Sequence, residues 1–329
     1  MHVRRPSCGM SDRDTPTDHV TTSKYSHLHG TKDSNATRSL MAQRVGAMFL
    51  LENRQDIVLS DFFKDSYENI ISALSKLIRE KATSLYNNTD QQMVETQLGD
   101  NVSNLKLSED RSGRGQSDGD QSFSGQQHEK LAPGSVEILS YGLGNFTSCP
   151  IARYQLSFLI ATRDRLSDSC STCYVYDPMF SSHEVDALKT LGFTVISENE
   201  EGKRECTQPT VAFLPHCGKA LYNNLLWTNL LNGKMACGLH NLVLVGNSFT
   251  RMVESTPERV LRKTGDYILK IHPHMDEVVL PSTFVHKDVF NDLSLHTFPK
   301  SRLQSAPASL WEDLEEPCYS DTDVEYIRK

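Results

Sequence analysis

The apolar run Val136–Tyr141 breaks off at Gly142-Leu143-Gly144-Asn145, and Phe146 to Pro150 then lead into a helix-like segment. Strand, glycine turn and helix in that order let backbone N–H groups approach a phosphate, a nucleotide or a carboxylate. A dinucleotide fingerprint carries a third glycine three residues beyond the second, and Thr147 stands there instead. Because glycine tolerates positive φ, the same turn also suits an ordinary strand-to-helix connection. Ligand binding and plain turn chemistry both remain open.

Further along, several other apolar runs end in polar residues. Cys173–Tyr176 ends at Asp177, Thr210–Leu214 at Pro215-His216-Cys217, and Leu242–Val245 at Gly246-Asn247-Ser248. In an open α/β sheet, ligands lie beyond the carboxyl ends of the strands, where the strand order reverses. That rule gathers Gly142, Gly144, Asn145, Asp177, His216, Cys217 and Asn247 along one edge. An acid at the end of the second strand is placed to hold ribose hydroxyls, although its distance from Gly142 exceeds the usual twenty or so residues. Asp177-Pro178 is equally a turn and a cap. His216 beside Cys217 reads as a base with a nucleophile, as two soft metal ligands, or as a hydrogen-bonded structural histidine. Neighbours on a strand face opposite ways, so cooperation needs a bend that Gly218 would permit. The loop Ser197–Arg204 offers Glu198 to a ribose or Lys203 to a phosphate, or is simply a solvated face.

Other pairs are weaker. Cys170 and Cys173 have the spacing of half a zinc site, but no second such pair follows, and they precede a strand where a thioredoxin-like pair opens a helix. Cys149-Pro150 resembles the Cys-Pro pair of haem-regulated sequences, with Cys149 and His216 as candidate haem ligands. Pro150 is also explained as the first residue of a helix. His272 and His274 form a loop pair that can bind metal or merely sit at the surface.

The elements that must position these residues follow from periodicity. Strands are expected at Val136–Tyr141, Cys173–Tyr176, Phe193–Ile196, Thr210–Leu214, Leu242–Val245 and Tyr267–Ile271. Helices are expected at Pro150–Thr162, Ser182–Leu191, Lys219–Leu231 and Thr256–Lys263. Ser181 and Glu184 make a capping box, and Gly192 closes that helix. Alternation of this kind implies a doubly wound, mostly parallel sheet with helices on both faces. Upstream, Ser60-Asp61 opens a helix whose Phe63, Tyr67, Ile70, Ile71, Leu74, Leu77 and Ile78 form one stripe, expected to pack on the main domain. The resulting division is a disordered 1–40, an amphipathic helix in 55–86, a disordered linker 87–131, an α/β domain 132–300 and an acidic tail 301–329.

The whole chain fits that division. Of 329 residues, 38% are hydrophobic, which suits one domain with polar flanks better than two packed domains. A net charge of −8 argues against a protein that grips nucleic-acid backbone. Met1-His2-Val3-Arg4-Arg5 lacks a following apolar core, and Met48–Leu51 is too short to span a bilayer. Eight cysteines without a secretory signal point to reduced thiols in the cytoplasm, with the nucleus as a second compartment. The four Asn-x-Ser/Thr matches are then chance.

Taken in order, several phrases resemble one family. They are Tyr141-Gly-Leu-Gly-Asn-Phe146, Ser148-Cys-Pro-Ile-Ala-Arg-Tyr-Gln-Leu156, Val175-Tyr-Asp-Pro178, Ser197-Glu-Asn-Glu-Glu-Gly-Lys203 and His216-Cys-Gly-Lys-Ala-Leu-Tyr-Asn-Asn-Leu-Leu-Trp227. Together they resemble the SRR1-like (sensitivity to red light reduced) domain over roughly residues 134–298. The matching positions include Arg153, Tyr154, Glu198, Glu200, Tyr222, Asn223 and Asn224. The resemblance implies a regulatory protein tied to circadian rhythm, clock-gene expression and haem biosynthesis, acting through protein partners or a small ligand, with no catalytic residue to carry over. The alternative is a Rossmann-like enzyme using a nucleotide or methyl donor. The cofactor stays open between haem, an adenine-containing ligand and none.

Overall fold

The computed structural model describes residues 52–100, 131–231, 233, 238–312 and 314–319, with backbone alone for 84–100. The expectations for 1–40, for 101–130 and for the last ten residues lie outside them. Seven strands form one sheet in the order β3-β2-β1-β4-β5-β7-β6. β1 (Val136–Tyr141), β2 (Cys170–Tyr176), β3 (Thr194–Val195), β4 (Thr210–Leu214) and β5 (Leu242–Asn247) run parallel. β7 (Leu293–Thr297) is antiparallel to β5, and β6 (Asp276–Val279) is antiparallel to β7 at the edge. The order reverses between β1 and β4, so their carboxyl ends flank the crevice where such folds hold ligands.

The central strands are apolar on both faces, as a sheet covered twice requires. Val136, Ile138, Val211, Phe213, Val243 and Val245 enter one core, and Leu139, Tyr141, Ala212, Leu214, Leu242 and Leu244 the other. The first core is covered by α3 (Pro150–Leu166), α4 (Ser182–Thr190) and two N-terminal helices, α1 (52–59) and α2 (Asp61–Asp100). The second is covered by α5 (Lys219–Leu230), α6 (Phe249–Ser255) and α8 (Asp266–Ile271), with α7 (Glu258–Thr264) packed against α5 and α8. Two short helices complete the fold, α9 (Lys287–Phe290) and α10 (Lys300–Ser305).

Local signals predicted the helix starts well. Pro150 is the first residue of α3, the Ser181–Glu184 capping box is complete, and Gly192 at φ +83° follows α4 in the left-handed conformation. The stripe on α2 is core: Phe63, Ile70 and Leu74 are buried. Phe62 stacks on Phe290 with ring centres 4.4 Å apart and lies 5.8 Å from both Phe158 and Phe284.

Four expectations are corrected. α2 continues to Asp100, so residues 87–100 of the expected linker are helical. Tyr267–Ile271 is helix α8, not a strand: Tyr267, Ile268 and Ile271 are buried together, a spacing that suits a helix face. β6 and β7 were not anticipated. The expected tail from 301 starts inside the fold, because Leu303, Ala306 and Leu310 are core residues. No helix among the described residues is long and apolar enough to cross a membrane.

Candidate ligand crevice

Gly142 and Gly144 have φ of +73° and +78°, a conformation that strains any residue with a Cβ. At Gly142 a Cβ would also lie 2.4 Å from the Cys217 Sγ, so the absent side chain makes room for the turn after β4. Several of the amides that follow are already bonded. Gly144 N–H donates to Asp177 Oδ2 at 2.6 Å, and Thr147 N–H to Glu184 Oε1 at 2.9 Å. Asn145 Oδ1 accepts from Ser148 N–H at 3.0 Å and from the Thr147 and Ser148 hydroxyls at 2.8 and 2.9 Å. Asp177 Oδ1 meanwhile takes the Met179 N–H at 2.7 Å. Asp177 therefore caps its own turn and also ties that turn to the glycine loop. Glu184 is fully buried and takes the Ser181 N–H with its other oxygen at 2.9 Å. A phosphate at this turn would meet two carboxylates where it needs free donors.

On the β4 side, His216 adopts φ +54°, is exposed, and bonds Val289 O through Nε2 at 3.1 Å. Cys217 Sγ turns instead to Tyr141 O at 3.5 Å. The two side chains serve different carbonyls and form no base–nucleophile pair. Asn247 Nδ2 donates to Cys217 O at 3.0 Å, and its N–H reaches Tyr222 Oη at 2.9 Å. Tyr222, fully buried, bonds Leu214 O in turn and fills the space beside Gly246. Gly142, Cys217 and Asn247 are thus knit together, Gly144 is tied to Asp177, and Asn145 bonds only within its own turn. Glu198 is exposed in the loop after β3 and joins neither group.

A carboxylate of that loop that is held in place is Glu200. It accepts from Tyr141 Oη at 2.7 Å and from Arg204 Nε and Nη2 at 2.9 and 2.6 Å, and the guanidinium lies 4.4 Å from the Tyr174 ring centre. Burial and then the Glu200 bond push the Tyr141 hydroxyl well above its usual range, so it stays a neutral donor. Tyr141, Arg204 and the second role of Glu184 were missed by sequence reasoning. Only the capping-box half of Glu184 left a local signal.

A carbonyl oxygen can only accept, so His216 Nε2 carries the hydrogen of that bond and offers iron no lone pair there. Cys149 sits at the N-cap of α3, half-buried, with no capping bond from its side chain. Cys170 and Cys173 are three apart on β2, but a register shift between them turns both toward the first core. Burial raises both thiols, Cys170 to about 11. Among the described residues no cluster of three or more His, Cys, Asp or Glu is arranged to hold a metal ion.

Comparison with known proteins agrees with this module. No solved structure matches the chain. A mouse SRR1-like protein is 37% identical over 225 residues, 68% of this chain and 78% of the relative. A Drosophila SRR1-like protein is 35% identical over 178 residues, covering 54% and 60%. The Arabidopsis protein named SENSITIVITY TO RED LIGHT REDUCED 1 is 35% identical over 114 residues, covering 35% and 40%. The family model described as the SRR1 domain matches residues 121–297, more than half of the 329 residues and starting upstream of the expected boundary at 132. The chain belongs to the SRR1 family.

Proposed function

We propose that this chain is a regulatory protein of circadian rhythm, clock-gene expression and haem biosynthesis. It works in the cytoplasm and nucleus through protein partners, without gripping nucleic acid. The observation that carries the reading is the occupied glycine turn: Gly144 and Thr147 N–H groups already hold Asp177 and Glu184. A phosphate-bearing cofactor is disfavoured there, and His216 and Cys217 are not joined for nucleophilic chemistry. What remains at the strand ends is a rigid polar edge suited to recognition. The Arabidopsis relative's name, which refers to red-light sensitivity, adds support from outside this chain. The test is genetic removal followed by rescue. Loss of the chain is expected to shift the period of a clock-gene reporter and the level of haem-synthesis transcripts, with both restored by re-expression. Unchanged rhythm and transcripts would overturn it.

A second reading, a methyl-donor enzyme, is favoured by one observation. The strand order 3-2-1-4-5-7-6 with β7 reversed is a common order among methyl-donor folds, an analogy of topology alone. Asp177 beside Gly144 is also where a ribose would be held. An adenosyl methyl donor has no phosphate to meet the carboxylates. It should raise the melting temperature of the full chain while ATP and NAD do not, and Asp177→Ala should abolish the shift. No shift removes this reading.

A further inference from the structure

Beyond α10 the chain passes through Leu310, the last core residue, and then returns across α5 as the irregular segment 314–319. None of its six residues is fully buried, so contacts to one surface hold it. Trp227 Nε1–H donates to Leu314 O at 3.1 Å and Tyr267 O–H to Glu315 O at 2.7 Å. Lys203 Nζ meets Glu316 Oε1 at 2.5 Å. Tyr319 Oη accepts from Asn223 Nδ2 at 2.9 Å and lies 2.9 Å from Asn224 Oδ1 and 3.2 Å from Ala220 O. The first two donors read main-chain carbonyls whatever the side chains are. The lysine reads an acid, and the asparagines read a hydroxyl three residues later.

The hydroxyl socket is built into the fold. Asn223 and Asn224 are 3% and 4% exposed. Their orientations are set from behind: Asn223 Oδ1 takes the Tyr267 N–H at 2.7 Å, and Asn224 Nδ2 gives to Glu201 O at 2.8 Å. The socket therefore presents one donor and two acceptors to the incoming oxygen, which must carry a hydrogen. A phenol fits, whereas a phosphate would face the two acceptors. Every groove residue lies within the family-matched 121–297, and the occupant lies beyond it.

We propose that this surface is a peptide-docking groove, occupied in cis by residues 314–319, whose partner in trans is an acidic segment with the pattern acid-x-x-tyrosine. The groove assignment rests on the partner reading above only for the existence of a competitor. Its test needs no clock or haem readout, so the two can fail separately.

The experiment uses the full chain with Trp311→Phe, which leaves Trp227 as its one indole. Glu316→Ala with Tyr319→Ala unseats the segment, and circular dichroism verifies the fold. Trp227 emission is expected to move to longer wavelength on unseating and to return when a labelled peptide of residues 312–320, with Cys318→Ser, is added. Effective concentrations of tethered segments are near millimolar, so the seated chain should bind this peptide roughly ten to a hundred times more weakly than the unseated one. A peptide with phosphotyrosine at 319 should not bind, and one with Tyr319→Phe should bind roughly fivefold more weakly. Equal binding to seated and unseated chains, no binding to a folded unseated chain, unmoved Trp227 emission, or full binding of the phosphopeptide would each overturn the proposal.

Discussion

Gly142 and Cys217 meet across the crevice mouth, and the contact explains one glycine where positive φ alone explains the other. Gly142→Ala brings a Cβ to 2.4 Å from Sγ, while the Cys217 Cβ stays 3.9 Å away. Overpacking costs about 1–3 kcal/mol, and a left-handed alanine adds roughly 1–2 kcal/mol. Removing the sulfur with Cys217→Ala should cancel the first cost and leave the second. Denaturant midpoints in a double-mutant cycle should therefore show a coupling of about 1–3 kcal/mol, and strict additivity would refute the contact. Glu184 offers a second measure. Its buried carboxylate serves the N–H groups of Thr147 and Ser181, so Glu184→Ala should cost about 2–4 kcal/mol by urea unfolding. A loss below about 1 kcal/mol would mean that water replaces those bonds. Little of this was legible from one sequence. The capping box is a pattern over four residues, whereas Gly144–Asp177 and Tyr141–Glu200 join positions 33 and 59 apart and leave no local trace.

Single elements were legible where local chemistry decides them. Pro150, Ser181 and Gly192 mark helix ends by capping rules that need no tertiary context. The five-residue run at Tyr267–Ile271 failed because a short apolar run fits either periodicity. β7 failed for another reason: its His296 is fully buried, a position that composition assigns to apolar residues. Nδ1 of His296 lies 3.1 Å from Leu244 O, and Nε2 faces the Phe249 N–H at 3.3 Å. Burial lowers its pKa to about 4 against the opposing pull of Glu277. A histidine held neutral in the fold contributes stability that is whole above its unfolded value near 6.5 and is lost as pH falls from there towards 4. The shift corresponds to a loss on the order of 3 kcal/mol. His296→Gln should flatten the stability profile across that window. An unchanged slope would assign it to other groups.

The molecule as a whole is larger than its family module. Ile57, Phe62, Phe63, Ile70, Ile71 and Leu74 of the N-terminal helices share a core with the sheet. At about 1.5–3 kcal/mol per buried side chain, their loss rivals the 5–15 kcal/mol that holds an ordinary domain together. A fragment of residues 131–319 should therefore be insoluble or bind a hydrophobic dye, while 52–319 melts in one cooperative transition. Independent melting of the shorter fragment with native-like packing would show that the helices are accessory.

The seating of Cys217 over Gly142 also constrains the history of the family. The sulfur occupies volume that a side chain at 142 would claim, so neither position can drift alone. Aligned relatives should show the two columns changing together, with any residue larger than glycine at the first position matched by glycine or alanine at the second. Such paired change would record, in descent, a contact made between two loops 75 positions apart.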